Sequence, residues 1–249
     1  MIGSFLLLAL TPLSDRQVLE VKIDGVTRTA IVRTPTKRSA KAPVIFAFHG
    51  HGGNGRYAER KMDFHTLWPE AIVVFPTGVP TKTPNDLEGK RNGWQIRPGQ
   101  DGDRDLKFVD AMLSDLGKKF SVDARVFAMG HSNGARFCFV LWAERADKFR
   151  AFAPCCAGGL GLIKDLKPKP AFIMGGKKDA IVDFRSIELS VAGLKQLNES
   201  GEGVKGKGPL VHYPSPKGDL VTYLHEGGHE YLSEVNPLIV EFFKRVSRD

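Results

Sequence analysis

A serine set between two glycines, where an apolar run gives way to a helix-like one, constrains this 249-residue chain more than any other feature. The pentapeptide is Gly130-His131-Ser132-Asn133-Gly134. Ahead of it, Ala124-Arg125-Val126-Phe127-Ala128-Met129 predicts a short buried strand, and Ala135-Arg136-Phe137-Cys138-Phe139-Val140-Leu141-Trp142 opens a helix. A strand that turns sharply into a helix, with small residues on both sides of the serine, presents the hydroxyl at the helix N-terminus. That is the setting in which G-x-S-x-G acts as a nucleophile elbow. In a chain with 27 glycines the bare pattern also arises by chance. Its flanks and its downstream partners give it weight.

The rest of the chain supplies a frame for such an elbow. Val18–Asp24 and Thr27–Arg33 alternate apolar and polar residues around Asp24-Gly25, the pattern of an antiparallel hairpin. Val44–Phe48 and Ala71–Phe75 are continuous apolar runs suited to strands buried on both faces. Asp103–Lys119 carries a helical stripe of Leu106, Val109, Met112, Leu113 and Leu116. Strand-like runs follow at Ala151–Pro154, Ala171–Met174 and Leu220–Leu224, with helical segments at Phe184–Asn198 and Glu234–Arg248. This alternation predicts an α/β architecture, a mostly parallel sheet with helices on both faces. Thr77–Gly102 is too long and polar for an idle connection and is a candidate binding loop, whereas Glu199–Gly208 is expected to be a flexible surface excursion.

Composition narrows the partners. The formal charge of +8 invites a nucleic-acid reading, but the lysines and arginines are scattered, so a solvated basic surface is expected and no nucleic acid. Three cysteines form no disulfide framework; Cys138, Cys155 and Cys156 fall in apolar surroundings as buried thiols. The apolar run Phe5–Leu10 is too short to span a bilayer, so no membrane span is expected. Residues 1–17 are set apart as an N-terminal arm or atypical signal segment, and 18–249 as one catalytic domain.

A serine hydroxyl needs a histidine base, itself held by a carboxylate. The chain order in a strand–elbow–helix context is serine, acid, histidine. Asp179 lies on the loop leaving the strand Ala171–Met174, at the sheet edge where catalytic groups gather. A capping or solvated turn role is its alternative, and Asp183, at the next helix start, is its competitor. His229 follows Gly227-Gly228 after the strand Leu220–Leu224 and is favoured over His225 as the base. His225, Glu226 and His229 have a metal-like spacing but no further ligand cluster, so no metal and no cofactor is expected. The oxyanion calls for two preorganised N–H donors. These are assigned to the backbone amides of Asn133, after the nucleophile, and His51, in the loop His49-Gly50-His51-Gly52-Gly53. Phosphate cradling is the rival for that loop, but no G-K-[ST] follows.

His49-Gly50-x-Gly-Gly-Asn54, Asn92-Gly93-Trp94, Asp105–Leu116, the elbow, the Asp179 loop and Gly227-Gly228-His229 together resemble the polyhydroxybutyrate depolymerase/feruloyl esterase-like family of α/β-hydrolases, over about residues 18–248. The resemblance implies the α/β-hydrolase fold, a triad of Ser132, Asp179 and His229, and a Trp94 loop bordering the cleft. Trp94 is read either as an aromatic wall for a sugar or aryl ring or as a residue packing its own loop. It further implies hydrolysis of feruloyl or acetyl esters of plant polysaccharides or related small esters, in an extracellular or periplasmic setting. Polyester depolymerisation, thioester or peptide cleavage with the same triad, and a non-catalytic carbohydrate-binding relative are the alternatives. Where members often carry Trp-Pro after the histidine, this chain has Glu230-Tyr231-Leu232, so the cleft rim differs.

Overall fold

The computed structural model describes residues 15–37 and 40–248; the apolar run at 5–10 lies outside them. In chain order the strands are β1 (Arg16–Ile23), β2 (Val26–Arg33), β3 (Ala42–Phe48), β4 (Ile72–Pro76), the two-residue β5 (Val79–Pro80) and β6 (Asn92–Gly93), β7 (Val122–His131), β8 (Ala151–Cys155), β9 (Ala171–Gly176), β10 (Val204–Lys205), β11 (Leu210–Tyr213) and β12 (Leu220–His225). The helices are α1 (Gly55–Lys61), α2 (Phe64–Leu67), α3 (Arg104–Lys119), α4 (Asn133–Arg145), α5 (Phe184–Asn198) and α6 (Asn236–Val246).

Ten strands form one sheet in the order β1-β2-β4-β3-β7-β8-β9-β12-β11-β10. From β4 to β12 every neighbouring pair is parallel, and an antiparallel hairpin closes each edge. Alternation along the central strands sorts the core into two layers. Val44, Phe46 and Phe48 of β3 pack with α3, α4 and α5, whereas Ile45 and Ala47 face α1, α2 and α6. Both faces are therefore covered, which is why these strands read as unbroken apolar runs.

The site is positioned by topology. From β3 the chain goes out to β4 on one side, then returns to place β7 on the other side of β3. Loops leaving β3 and β7 diverge there, opening a crevice at the carboxyl ends of the strands. Four loops meet at that edge, those after β3, β7, β9 and β12.

Several short elements have no clear signature in the sequence. α1 and α2 are too brief to show a helical stripe, and β10 and β11 form a polar edge. Glu199–Gly208, expected to be a free excursion, is exposed but tied down, since Val204 and Lys205 pair with His212 and Val211.

One buried ion pair joins the N-terminal hairpin to α3. Arg28 donates to Asp105 at 2.7 Å, both side chains are shut off from solvent, and the Arg28 guanidinium lies 4.4 Å from the Phe108 ring centre. The second Asp105 oxygen accepts from the Gln95 amide at 2.8 Å, so the same carboxylate anchors the long loop before α3. Removing one member leaves a buried charge uncompensated. Asp105→Ala is expected to cost about 3–5 kcal/mol of stability, read from the denaturant midpoint. A loss below about 1 kcal/mol, the scale of an exposed pair, would show that the pair does not brace the hairpin.

Candidate active site

The elbow is tight because nothing larger than hydrogen fits beside it. A Cβ on Gly130 would collide with the Gly134 backbone, and one on Gly134 with the carbonyl oxygens of Phe48 and His49. Ser132 takes φ 55°, strained for a non-glycine residue, and stands at the N-cap position of α4 with its hydroxyl making no bond to the helix amides. Its amide donates to the Cys155 carbonyl at 2.8 Å.

Three of the sequence-assigned residues come together. The Ser132 hydroxyl lies 2.7 Å from His229 Nε2, and His229 Nδ1 lies 2.6 Å from Asp179 Oδ2. In this tautomer Nδ1–H donates to the carboxylate and Nε2 accepts from the hydroxyl. The other Asp179 oxygen accepts from the Ile181 and Val182 amides, each at 2.8 Å. Burial alone would raise the Asp179 pKa; the Val182 amide, His229 and the Ile181 amide outweigh it and hold the carboxyl below its ordinary value. Asp183 is elsewhere, capping α5 through the Arg185 amide. His225, the last residue of β12, accepts from the Gly227 amide at 3.1 Å and so shapes the turn that carries His229. Glu226 is exposed and pairs with Lys177. Among the described residues no group of three or more metal-ligating side chains gathers.

The β3 loop lies against the elbow, where a Cβ on Gly50 would stand 3.4 Å from Ser132 Cβ. Its shape is set by His49, which is buried. Nδ1–H donates to the Gly50 carbonyl at 2.7 Å, and Nε2 accepts from the Gly78 amide at 2.9 Å. Burial lowers its pKa to about 4, so the ring is neutral and its tautomer fixed. His51 is held from its side chain, with Nε2 2.9 Å from Asp86 Oδ2. Asp86 also accepts from the amides of Gly89, Lys90 and Arg91. The hydrogen bonds from His51 and these amides keep the Asp86 carboxyl well below the usual range.

His131 and the side chain of Asn133 have roles that their place in the motif does not announce. His131 Nε2–H donates to the His229 carbonyl at 2.9 Å and so grips the His229 backbone. Burial pushes its pKa down to about 4, and it stays neutral beside a ring 5.2 Å away. The Asn133 side chain accepts from the Trp94 amide at 2.7 Å and donates to the Trp94 carbonyl at 2.9 Å.

Trp94 is not a cleft wall. It is fully buried, stacked on Phe137 at 5.5 Å, edge-on to Phe48 at 5.2 Å, and its Nε1–H donates to the His49 carbonyl at 2.9 Å. An indole beside a core of phenylalanines gains more by burial than by facing water, provided its N–H finds an acceptor. The Thr77–Gly102 loop does reach the cleft, but through Thr83–Asn85, Arg91 and Ile96.

Ser132 sits where two clefts meet. The larger, about 640 Å³, is bordered by His229, His131, Tyr57, Arg91 and Ala180. The smaller, about 260 Å³, is bordered by Asn133, Arg136, Ile96, Ala157 and Val182. His51, Asn85, Ser132 and Ile181 border both. The cysteines take no part as nucleophiles: burial, followed by the Asp179 charge, pushes the Cys156 thiol up to about 12.

No family model matches the chain. It is 24% identical over 168 residues to a bifunctional acetylxylan esterase/xylanase of Neocallimastix patriciarum, covering 66% of this chain and 23% of that protein. The chain thus matches under a quarter of that relative's length. It is 25% identical over 249 residues to feruloyl esterase D of Neurospora crassa, covering 87% of this chain and 79% of the relative. Among solved structures, the acetyl xylan esterase from Aspergillus awamori superposes with a TM-score of 0.65 at 13% identity, covering 91% of this chain and 99% of the other. The chain has the α/β-hydrolase fold.

Trp94→Ala removes a buried indole and the bond to His49, and is expected to cost about 3–5 kcal/mol of stability. Because Trp94 backs the β3 loop and not the cleft, turnover should fall by one common factor on every ester hydrolysed. A loss confined to aryl or sugar esters would return Trp94 to the cleft wall.

Proposed function

We propose that this chain, with residues 18–249 as its catalytic unit, is a serine carboxylic-ester hydrolase working through an acyl-enzyme on acetyl or feruloyl esters of plant polysaccharides or related aryl and sugar esters. The observation that carries the reading is the continuous hydrogen-bonded line from Ser132 through His229 to Asp179, opening onto two clefts. The relatives named as acetylxylan and feruloyl esterases support the substrate class.

The steps follow from the geometry. Ser132 Oγ attacks the ester carbonyl carbon as its proton passes to His229 Nε2, and Asp179 faces the imidazolium that forms. The negative charge collects on the former carbonyl oxygen, for which His51 and Asn133 supply backbone donors. Among the described residues neither amide is taken up by a protein acceptor. Collapse of the intermediate breaks the bond to the alcohol, which leaves with the proton from His229. Water then attacks the acyl-enzyme, giving up a proton to His229, and the acid departs as Ser132 regains its hydrogen.

Ser132→Ala is expected to lower turnover about a million-fold, and His229→Ala about as much, since nucleophile and base act as a unit. Asp179→Asn should cost on the order of ten-thousand-fold. His225→Ala, which only loosens a turn, should cost far less than either. Kinetics on a nitrophenyl ester and on methyl ferulate check all four. A tenth of the activity surviving Ser132→Ala would sink the assignment, and so would His225→Ala being as damaging as His229→Ala.

A further inference from the structure

The two clefts are not equivalent with respect to the base. His229 borders the larger and not the smaller. Its proton must go to the oxygen of the departing alcohol, so the alcohol occupies the side that His229 borders. The acyl group then lies on the other side, in the smaller cavity past Asn133. That cavity is lined by the apolar Ile96, Ala157 and Val182, by the polar Thr83 and Ser186, and by the cation Arg136.

Arg136 lies four residues beyond Ser132 on α4, about one helical turn or 6 Å along the axis. It is half-buried, and burial lowers its pKa with no opposing charge nearby. Three carbonyl groups hold it: Nε–H donates to Ile96 at 2.9 Å, and Nη1 donates to Gly158 at 3.2 Å and to Leu160 at 3.0 Å. Nη2 has no acceptor among the described residues, yet it is not sealed from solvent. No carboxylate pairs with Arg136 among the described residues, unlike Arg28, Arg33 or Arg145. A guanidinium so fixed borders the cavity and keeps two N–H donors that no acceptor takes up among the described residues.

We propose that the smaller cavity is the acyl pocket and that Arg136 is its specificity residue, selecting acyl groups whose far end carries an acceptor oxygen, such as the phenolic oxygen of a hydroxycinnamoyl group or the free carboxylate of a dicarboxylic half-ester. This rests on the ester-hydrolase reading above. An acetyl group ends too close to the carbonyl carbon to reach Arg136, so the selection acts among longer acyl groups.

The test compares esters differing only in that oxygen, within one protein. Methyl 4-hydroxycinnamate is set against methyl cinnamate, and monomethyl adipate against methyl hexanoate. A hydrogen bond to a charged donor is expected to give a kcat/KM ratio of about ten- to a hundred-fold for at least one pair. The pair that shows it identifies the source of the oxygen. In Arg136→Met that ratio should fall to near one, whereas a purely structural role would lower both members equally and leave the ratio intact. Ratios near one for both pairs in the unaltered protein, or a ratio untouched by Arg136→Met, would overturn the proposal. Calorimetric binding of 4-hydroxycinnamate and cinnamate to both proteins repeats the comparison without turnover. Hydrolysis of no ester at all would count against the enzymatic reading, while equal binding of the two acids would count against Arg136 alone.

Discussion

Everything at this site depends on how closely α4 is allowed to approach the end of β3. Gly134 lies against the Phe48 and His49 carbonyls with no room for a side chain. That contact brings Ser132 under the β3 loop, sets the Asn133 side chain against the Trp94 backbone, and leaves the indole to bond the His49 carbonyl. A single methyl group at Gly134 would separate the nucleophile from the loop carrying His51. The stabilisation that offsets the strained Ser132 backbone comes from the aromatic layer behind it, Phe48, Trp94 and Phe137, which the same approach packs together.

Two histidines of the motifs are held neutral by burial beside the site. His49 and His131 are both pushed down to about 4 by burial, and each spends its ring nitrogen on backbone: Gly50 and Gly78 for one, the His229 carbonyl for the other. A charged His131 would set a positive charge beside the His229 ring, 5.2 Å away, and under the proposed mechanism would oppose the imidazolium formed there. Desolvation, usually a cost for a polar side chain, here removes a competing positive charge. The Asp179 carboxyl, held below its ordinary value, faces His229 Nδ1.

The parts legible in the sequence are those whose chemistry demands a particular residue at a particular strand end. The elbow glycines, the aspartate after β9 and the histidine after paired glycines are of this kind, and the central strands declared themselves by unbroken apolar runs. What could not be seen depends on tertiary packing. Trp94 beside Gly93 looks exposed because a Gly-, Pro- and charge-rich loop has no periodicity to reveal which residue turns inward. Only the Phe48–Phe137 pocket and the acceptor at His49 make burial favourable. The short α1 and α2, and the strand that pins Glu199–Gly208, are likewise fixed by what they pack or pair with. That Arg136 borders the smaller cleft was hidden by its place in a helix otherwise read as core.

The long loop between β4 and α3 is held without much secondary structure, and carboxylates do that work. Asp86 gathers three amides and His51, Asp103 accepts from Gly99 and Gln95, and Asp105 accepts from Gln95 and Arg28. Backbone donors that would lie along a ladder in a sheet are satisfied by side chains instead. The consequence is catalytic as well as structural. An oxyanion site stabilises charge well only if its donors are aimed before the reaction begins, because donors that must reorient forfeit much of what they contribute. His51 is fixed from both ends, by the Gly50–Gly53 turn and by Asp86, and under the proposed mechanism its amide would be one such donor, held in place before the reaction begins. Of the residues that line the cleft on this loop, Thr83 to Asn85 lie beside that same aspartate. The loop therefore forms a braced wall of the cleft.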